Sequence, residues 1–273
     1  MTDFNKKWTQ HLAEVDFDTS NLTPKDELHP KFWHNGVLDE DVGTRLEEIV
    51  EDLVKNLDFG VEIADIILTG SIASYNWHNL SDIDLHIILD FAQIDENFDL
   101  VKKLLDAKKG QWNRTHEIMV FGHEVEVYFQ DIGEEHHAAG IYSVLERDWV
   151  TPPTKNPAEP DFKSAEIKAE GLANEIDRVF GLFEDEKYTD SYDISGILKE
   201  KIKKLRQCGL EEGGVYSPEN LAFKLLRNSG FLGRLMALRT LSYDKMMSIN
   251  GNSAQNGQIN IKIAENWANF IKN

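Results

Sequence analysis

The chain has 273 residues, 41% hydrophobic and 28% charged, enough to bury its own core without covalent or metal staples and too apolar for a disordered polymer. Its 29 Lys and Arg against 48 Asp and Glu leave a formal charge of −19, which argues against a protein that coats long nucleic acid. The one cysteine, Cys208, excludes an internal disulfide framework and a cysteine-rich zinc module.

Met1 to Trp8 lacks the apolar stretch of a signal peptide, and no apolar run approaches the ~20 residues a membrane helix needs. The expectation is a cytoplasmic protein with no membrane partner. Residues 1–40 are mixed, with turn chemistry at Pro24, Pro30 and Gly36, and read as an extension draped on the first domain. From Val42 to Leu57, the spacing of Leu46, Ile49, Val50, Leu53, Val54 and Leu57 predicts a helix. Val61 to Thr69 predicts a strand, Gly70-Ser71 a break, Ala73 to His78 a short helix and Asp82 to Leu89 a second strand. Phe98 to Lys109 reads as helical, and His116–Phe121 with Glu124–Phe129 as a hairpin about Gly122-His123.

Thr151 to Pro160 holds four of the seven prolines and reads as an extended connector. Beyond it the spacing is helical over Ile167–Phe183 and Ile194–Cys208. Ser217-Pro218-Glu219 starts another helix, with Ser as N-cap and Pro at the first position, and Gly230 interrupts it before Leu232–Met247. Asn250–Gly257 reads as a loop and Ile261–Ile271 as a last helix. Residues 1–160 hold 13 Lys and Arg against 32 Asp and Glu, whereas residues 161–273 hold 16 of each. That asymmetry predicts two units: an extension over 1–40, an α/β domain over 41–150, a linker over 151–162 and a helical domain over 163–273.

Chemistry concentrates between Leu68 and His86. A glycine lets phosphate oxygens approach without a Cβ clash, and backbone N–H groups at a helix start attract anions. Asp82 and Asp84, two apart on a strand, project from one face while Ile83, Leu85 and Ile87 point to the other. Paired carboxylates beside a phosphate-binding turn suit Mg²⁺, a cation that takes hard oxygen ligands and shares them with substrate phosphates. On the later strand Glu124, Glu126 and Tyr128 share a face; Glu126 lies mid-strand between two valines, and Glu124 adjoins the turn.

Gly70-Ser71, ten intervening residues and then Asp82-Ile83-Asp84 resemble the hallmark of the DNA polymerase β-like nucleotidyltransferase superfamily. The likeness covers about residues 46–130, with Val125-Glu126-Val127 at the position of the family's third carboxylate. A further similarity, to nucleotidyltransferases predicted in tailed bacteriophages, rests on Tyr75-Asn76-Trp77, Ser81–His86 and Gly140–Ser143. The resemblance implies a nucleotidyltransferase fold, a mixed sheet flanked by helices, here followed by an all-helical domain. It implies transfer of a nucleoside monophosphate from an NTP to an acceptor hydroxyl, with two Mg²⁺ or Mn²⁺ ions on Asp82, Asp84 and Glu126. Gly70 and Ser71 would hold the β/γ-phosphates. For a phage-encoded protein the compartment would be the host cytoplasm.

Lys199, Lys203 and Arg206 lie at i, i+4 and i+7 on a helix and would contribute to binding the triphosphate or acceptor, the rival reading being a solvated face. His86 shares the face of the two aspartates and could touch phosphate or orient a carboxylate. His136-His137 reads as part of an acidic solvated loop. The acceptor stays open among a small molecule, a tRNA end, a protein and a nucleotide; no counterpart of the alarmone-synthetase basic motif precedes Gly70. The rival function is a catalytically silent nucleotide-binding or host-interaction protein on the same fold.

Overall fold

The alternation of Ile83, Leu85 and Ile87 with polar residues becomes a strand whose apolar side is fully buried. The computed structural model describes residues 17–57, 59–136, 138–155 and 159–249. They fall into two units, one within Ser20–Pro157 and one of residues 17–19 with 159–249.

In the first unit, β1 (Trp33–His34) and β2 (Val37–Leu38) form a short antiparallel ladder, followed by α1 (Glu40–Lys55). The Asp39 carboxylate caps α1 by accepting from the N–H groups of Asp41 and Val42, at 3.1 and 3.2 Å. Then come β3 (Ile63–Thr69), β4 (Ile83–Leu89), α2 (Phe98–Thr115), β5 (Met119–Val120), β6 (His123–Asp131), β7 (Ile141–Ser143) and β8 (Asp148–Thr151). Among the described residues, six of these strands make one sheet, in the order β5-β6-β4-β3-β7-β8. β4 and β6 run parallel, and the other neighbours are antiparallel. The parallel pair needs a crossover, which α2 supplies.

One face of the sheet is the core. Ile66 and Leu68 of β3, Ile83 to Leu89 at alternate positions of β4, and Val125, Val127 and Phe129 of β6 pack with Leu46, Ile49, Val50 and Leu53 of α1 and Val101 and Leu105 of α2. Each fully buried Leu or Ile contributes about 1.5–3 kcal/mol relative to exposure. The fold is therefore mixed α/β, a mixed sheet flanked by helices, with a helical C-terminal region.

Two local expectations are corrected. Residues 73–78 form no helix; 70–80 is a succession of turns braced by side chains. The strand expected over 116–121 shrinks to Met119–Val120, because α2 continues to Thr115 and is closed by the His116 N–H on the Trp112 carbonyl. The second unit contains α3 (Phe162–Glu184), α4 (Tyr188–Gly213), α5 (Pro218–Asn228) and α6 (Phe231–Met247). Ser217 caps α5 at the Asn220 N–H, and Gly230 enters α6 with φ +79°, a left-handed conformation that suits glycine. The loop expected at 250–257 and the helix expected at 261–271 lie outside the described residues.

His29 is buried against Phe32, Trp77 and His123, with ring centroids 5.0, 4.3 and 4.9 Å away. Burial, His123 and Lys31 together hold its imidazole down at about 4, from an ordinary 6.5. The fold thus keeps His29 neutral, while the unfolded chain binds a proton below 6.5. Its contribution to stability is complete above pH 6.5 and declines as pH falls toward 4. Thermal midpoints measured between pH 7.5 and 4.5 are expected to drop more steeply for the wild type than for His29→Gln; parallel curves would refute this.

Candidate active site

The sheet face opposite the core carries the polar side chains. Asp84 pairs in register with Glu126 across the parallel β4–β6 ladder, and with Thr69 on its other side. His86 likewise sits opposite Tyr128. Asp82 immediately precedes β4 rather than lying within it. Adjacent parallel strands stand about 4.8 Å apart, so register alone makes Asp84 and Glu126 neighbours.

Gly70 ends β3 with φ +75°, and a Cβ placed on it would overlap the Asp84 carboxylate. Both its backbone and its lack of side chain are therefore required by the turn that runs beside Asp84. The Ser71 hydroxyl donates to Ser81 Oγ at 2.7 Å, and Ser81 Oγ also accepts from the His78 N–H at 2.9 Å. His123 reaches the Ser81 carbonyl through Nδ1 at 2.7 Å. These bonds tie the two ends of the 70–81 loop together, in place of the short helix expected there.

More of the bracing comes from residues with no motif. Trp33 Nε1 donates to the Ile72 carbonyl at 2.8 Å, the Lys25 N–H to that of Tyr75 at 2.8 Å, and Trp77 Nε1 to that of Glu27 at 2.9 Å. A Cβ on Gly140 would overlap the Ala73 carbonyl, so β7 approaches the loop closely because residue 140 is glycine. The N-terminal segment and Gly140 thus set the loop's shape. Their only signal in the sequence is a cluster of aromatics and a lone Gly before a β-branched residue. Trp77 is packed on His29, which accounts for its ring.

The electrostatics are those of crowded acids. Burial, followed by Glu126, Asp82 and Glu117, raises the Glu124 carboxyl. The Tyr128 hydroxyl donates to Glu126 Oε2 at 2.6 Å, and burial together with that bond and charge pushes the phenol far up. His86 stacks on Tyr128 at 5.0 Å and 21°, and its Nδ1 lies 2.9 Å from Gln130 Oε1. Burial holds His86 below its ordinary range despite that hydrogen bond, so it is a neutral group there. His136 stands edge-on to His86 at 6.1 Å, and His137 lies outside the described residues.

The comparisons with known proteins meet this geometry on the same segment. The family model described as a nucleotidyltransferase domain matches residues 44–142. This segment is a nucleotidyltransferase domain. No curated protein and no solved structure matches the chain.

The match begins within α1 and ends in β7, so it covers Gly70 and Ser71 in the turn after β3, Asp82 just before β4, Asp84 in β4 and Glu126 in β6. The nucleotidyltransferase domain offers hard carboxylate oxygens on adjacent strands, a donor set suited to a divalent cation. Among the described residues, no three His, Cys, Asp or Glu side chains converge closely enough to enclose a cation as they stand. The hard oxygen donors present are of the chemistry such a cation takes.

Lys199 and Lys203 lie on α4, in the helical unit, and both are exposed; Leu198 and Ile202 form the buried stripe of that helix. The Arg206 guanidinium rests 4.4 Å from the Phe223 ring centroid, linking α4 to α5. Among the described residues, no helix is long and apolar enough to cross a membrane.

Proposed function

We propose that the nucleotidyltransferase domain moves a nucleoside monophosphate from an NTP to an acceptor hydroxyl and releases pyrophosphate. The acceptor oxygen forms a bond to the α-phosphorus as the bond to the β-phosphate oxygen breaks. The observation that carries this reading is the register of Asp84 with Glu126 on parallel strands, beside a turn at Gly70 where a Cβ would overlap the Asp84 carboxylate.

Asp82, Asp84 and Glu126 would hold the divalent cations, two Mg²⁺ or Mn²⁺, which when bound neutralise charge on the entering and leaving oxygens. Glu126 would also take the proton of the acceptor hydroxyl. The 70–71 turn would receive the β/γ-phosphates on its N–H groups, with the Ser71 hydroxyl turning from Ser81 to phosphate. Carboxylates fixed on a sheet need little reorganisation, and that preorganisation is the main source of rate.

Lys199 and Lys203 are assigned to the triphosphate or acceptor, on the strength of their shared helix side and exposure. Lys203→Glu is expected to weaken NTP or acceptor binding, with a difference from wild type that shrinks as salt rises. An unchanged affinity at low salt would return these lysines to a solvated face. The −19 charge supports an acceptor smaller than a long nucleic acid, or one gripped at its end.

The test is direct. The full chain is incubated with each of four α-labelled NTPs, Mg²⁺ or Mn²⁺, and a cell extract as acceptor source. Pyrophosphate release with transfer of the label supports the reading. A rise in thermal midpoint with NTP but no label transferred would favour the catalytically silent protein.

A further inference from the structure

Glu126 differs from an aspartate at the same position by one methylene and one more rotatable bond, so its carboxylate must be restrained to act at a fixed place. Tyr128 lies two residues along β6 on the same face, and its hydroxyl donates to Oε2 at 2.6 Å. That leaves Oε1 and the remaining lone pairs of Oε2 for another partner.

Tyr128 is itself held. Its ring stacks on His86 with centroids 5.0 Å apart, and Lys109 Nζ stands 4.6 Å from its centroid. Gln130 Nε2 donates to the Glu134 carbonyl at 3.2 Å, which turns Gln130 Oε1 toward His86 and makes His86 Nδ1 the donor at 2.9 Å. A chain of contacts thus runs from the Glu134 backbone through Gln130, His86 and Tyr128 to the Glu126 carboxylate.

We infer that Tyr128 is a positioning residue that fixes Glu126 for cation binding, with His86 and Gln130 as its supports. The inference rests on the reading of Glu126 as a cation ligand. The bland account is that a half-buried phenol merely takes the nearest acceptor. The two accounts part on cation affinity: a purely structural bond changes stability alone, whereas an orienting bond changes affinity. Removing a partner that orients a metal ligand typically costs 10–100-fold in affinity or activity.

The experiment measures Mn²⁺ affinity of the full chain without nucleotide, by electron paramagnetic resonance of the free ion. The proteins are wild type, Tyr128→Phe, Glu126→Gln and the double variant. Phenylalanine keeps the ring and its packing, and the apo thermal midpoint checks that the fold is retained. Tyr128→Phe is expected to weaken Mn²⁺ binding about 10-fold or more, and to add nothing once Glu126 is Gln. With NTP and acceptor, kcat is expected to fall while the KM for NTP holds.

Wild-type affinity in Tyr128→Phe would overturn the inference while leaving Glu126 as a ligand if Glu126→Gln binds weakly. Equal weakening in both backgrounds would also overturn it, because Tyr128 would then act otherwise than through Glu126. Unaltered affinity in Glu126→Gln, or no Mn²⁺ binding by the wild type, would overturn the ligand reading together with this one.

Discussion

Asp84→Asn is expected to lower nucleotidyl transfer on the order of 10³-fold or more while leaving the fold intact. Asp84 sits in β4 between two fully buried residues, Ile83 and Leu85, and its carboxylate lies on the face opposite them. Asparagine keeps the shape and removes the charge, so the core is untouched. The neighbouring acids Asp82, Glu124 and Glu126 then repel one like charge fewer, and apo stability is expected to hold or rise slightly. Asp82→Asn should behave alike. On the same assay, Glu126→Gln is expected to impair chemistry more than NTP binding, and Glu124→Gln to do little. The measurements are label transfer from NTP and the thermal midpoint of each variant. Turnover of Asp84→Asn within about 10-fold of wild type would sink the assignment.

Gly70→Ala is expected to damage both stability and activity. At φ +75° an alanine is strained, and its Cβ would displace the carboxylate of Asp84. The backbone strain costs about 1–3 kcal/mol, read as a lower urea midpoint with unchanged slope. A carboxylate shifted by roughly 1 Å at a reacting centre costs on the order of 10²-fold in rate. Gly122 supplies the control, since it too has positive φ (+90°) but open space where a Cβ would sit. Gly122→Ala should therefore show the backbone cost alone. If Gly70→Ala and Gly122→Ala lost activity equally, the contact with Asp84 would not be what matters.

How far the sequence carried each element depends on the range of the interaction that makes it. The helix expected over Val42–Leu57 is α1, Glu40–Lys55, because an amphipathic stripe and a capping Asp39 are local. Ser217-Pro218 starts α5 for the same reason. The 70–81 loop defied a helical reading because its conformation is set by remote partners. Trp33, Lys25, His123 and Gly140 fasten it, and none is near in sequence. The strands β7 and β8 are too short to carry a period; β7 exists by pairing onto β3, and β8 by pairing onto β7.

By itself the sequence determined the faces: alternation puts Asp84 and His86 on one side of a strand, Glu124, Glu126 and Tyr128 on one side of another. It also determined that a glycine turn precedes the paired aspartates, since spacing along one chain needs no partner. Only the tertiary structure decided that β4 lies parallel to β6 with Asp84 opposite Glu126, and that Tyr128 reaches back to hold that glutamate. A period of two specifies which way a side chain points. It cannot specify the neighbour it meets, because register is settled by burial of Ile83, Leu85, Val125 and Val127 in one shared core.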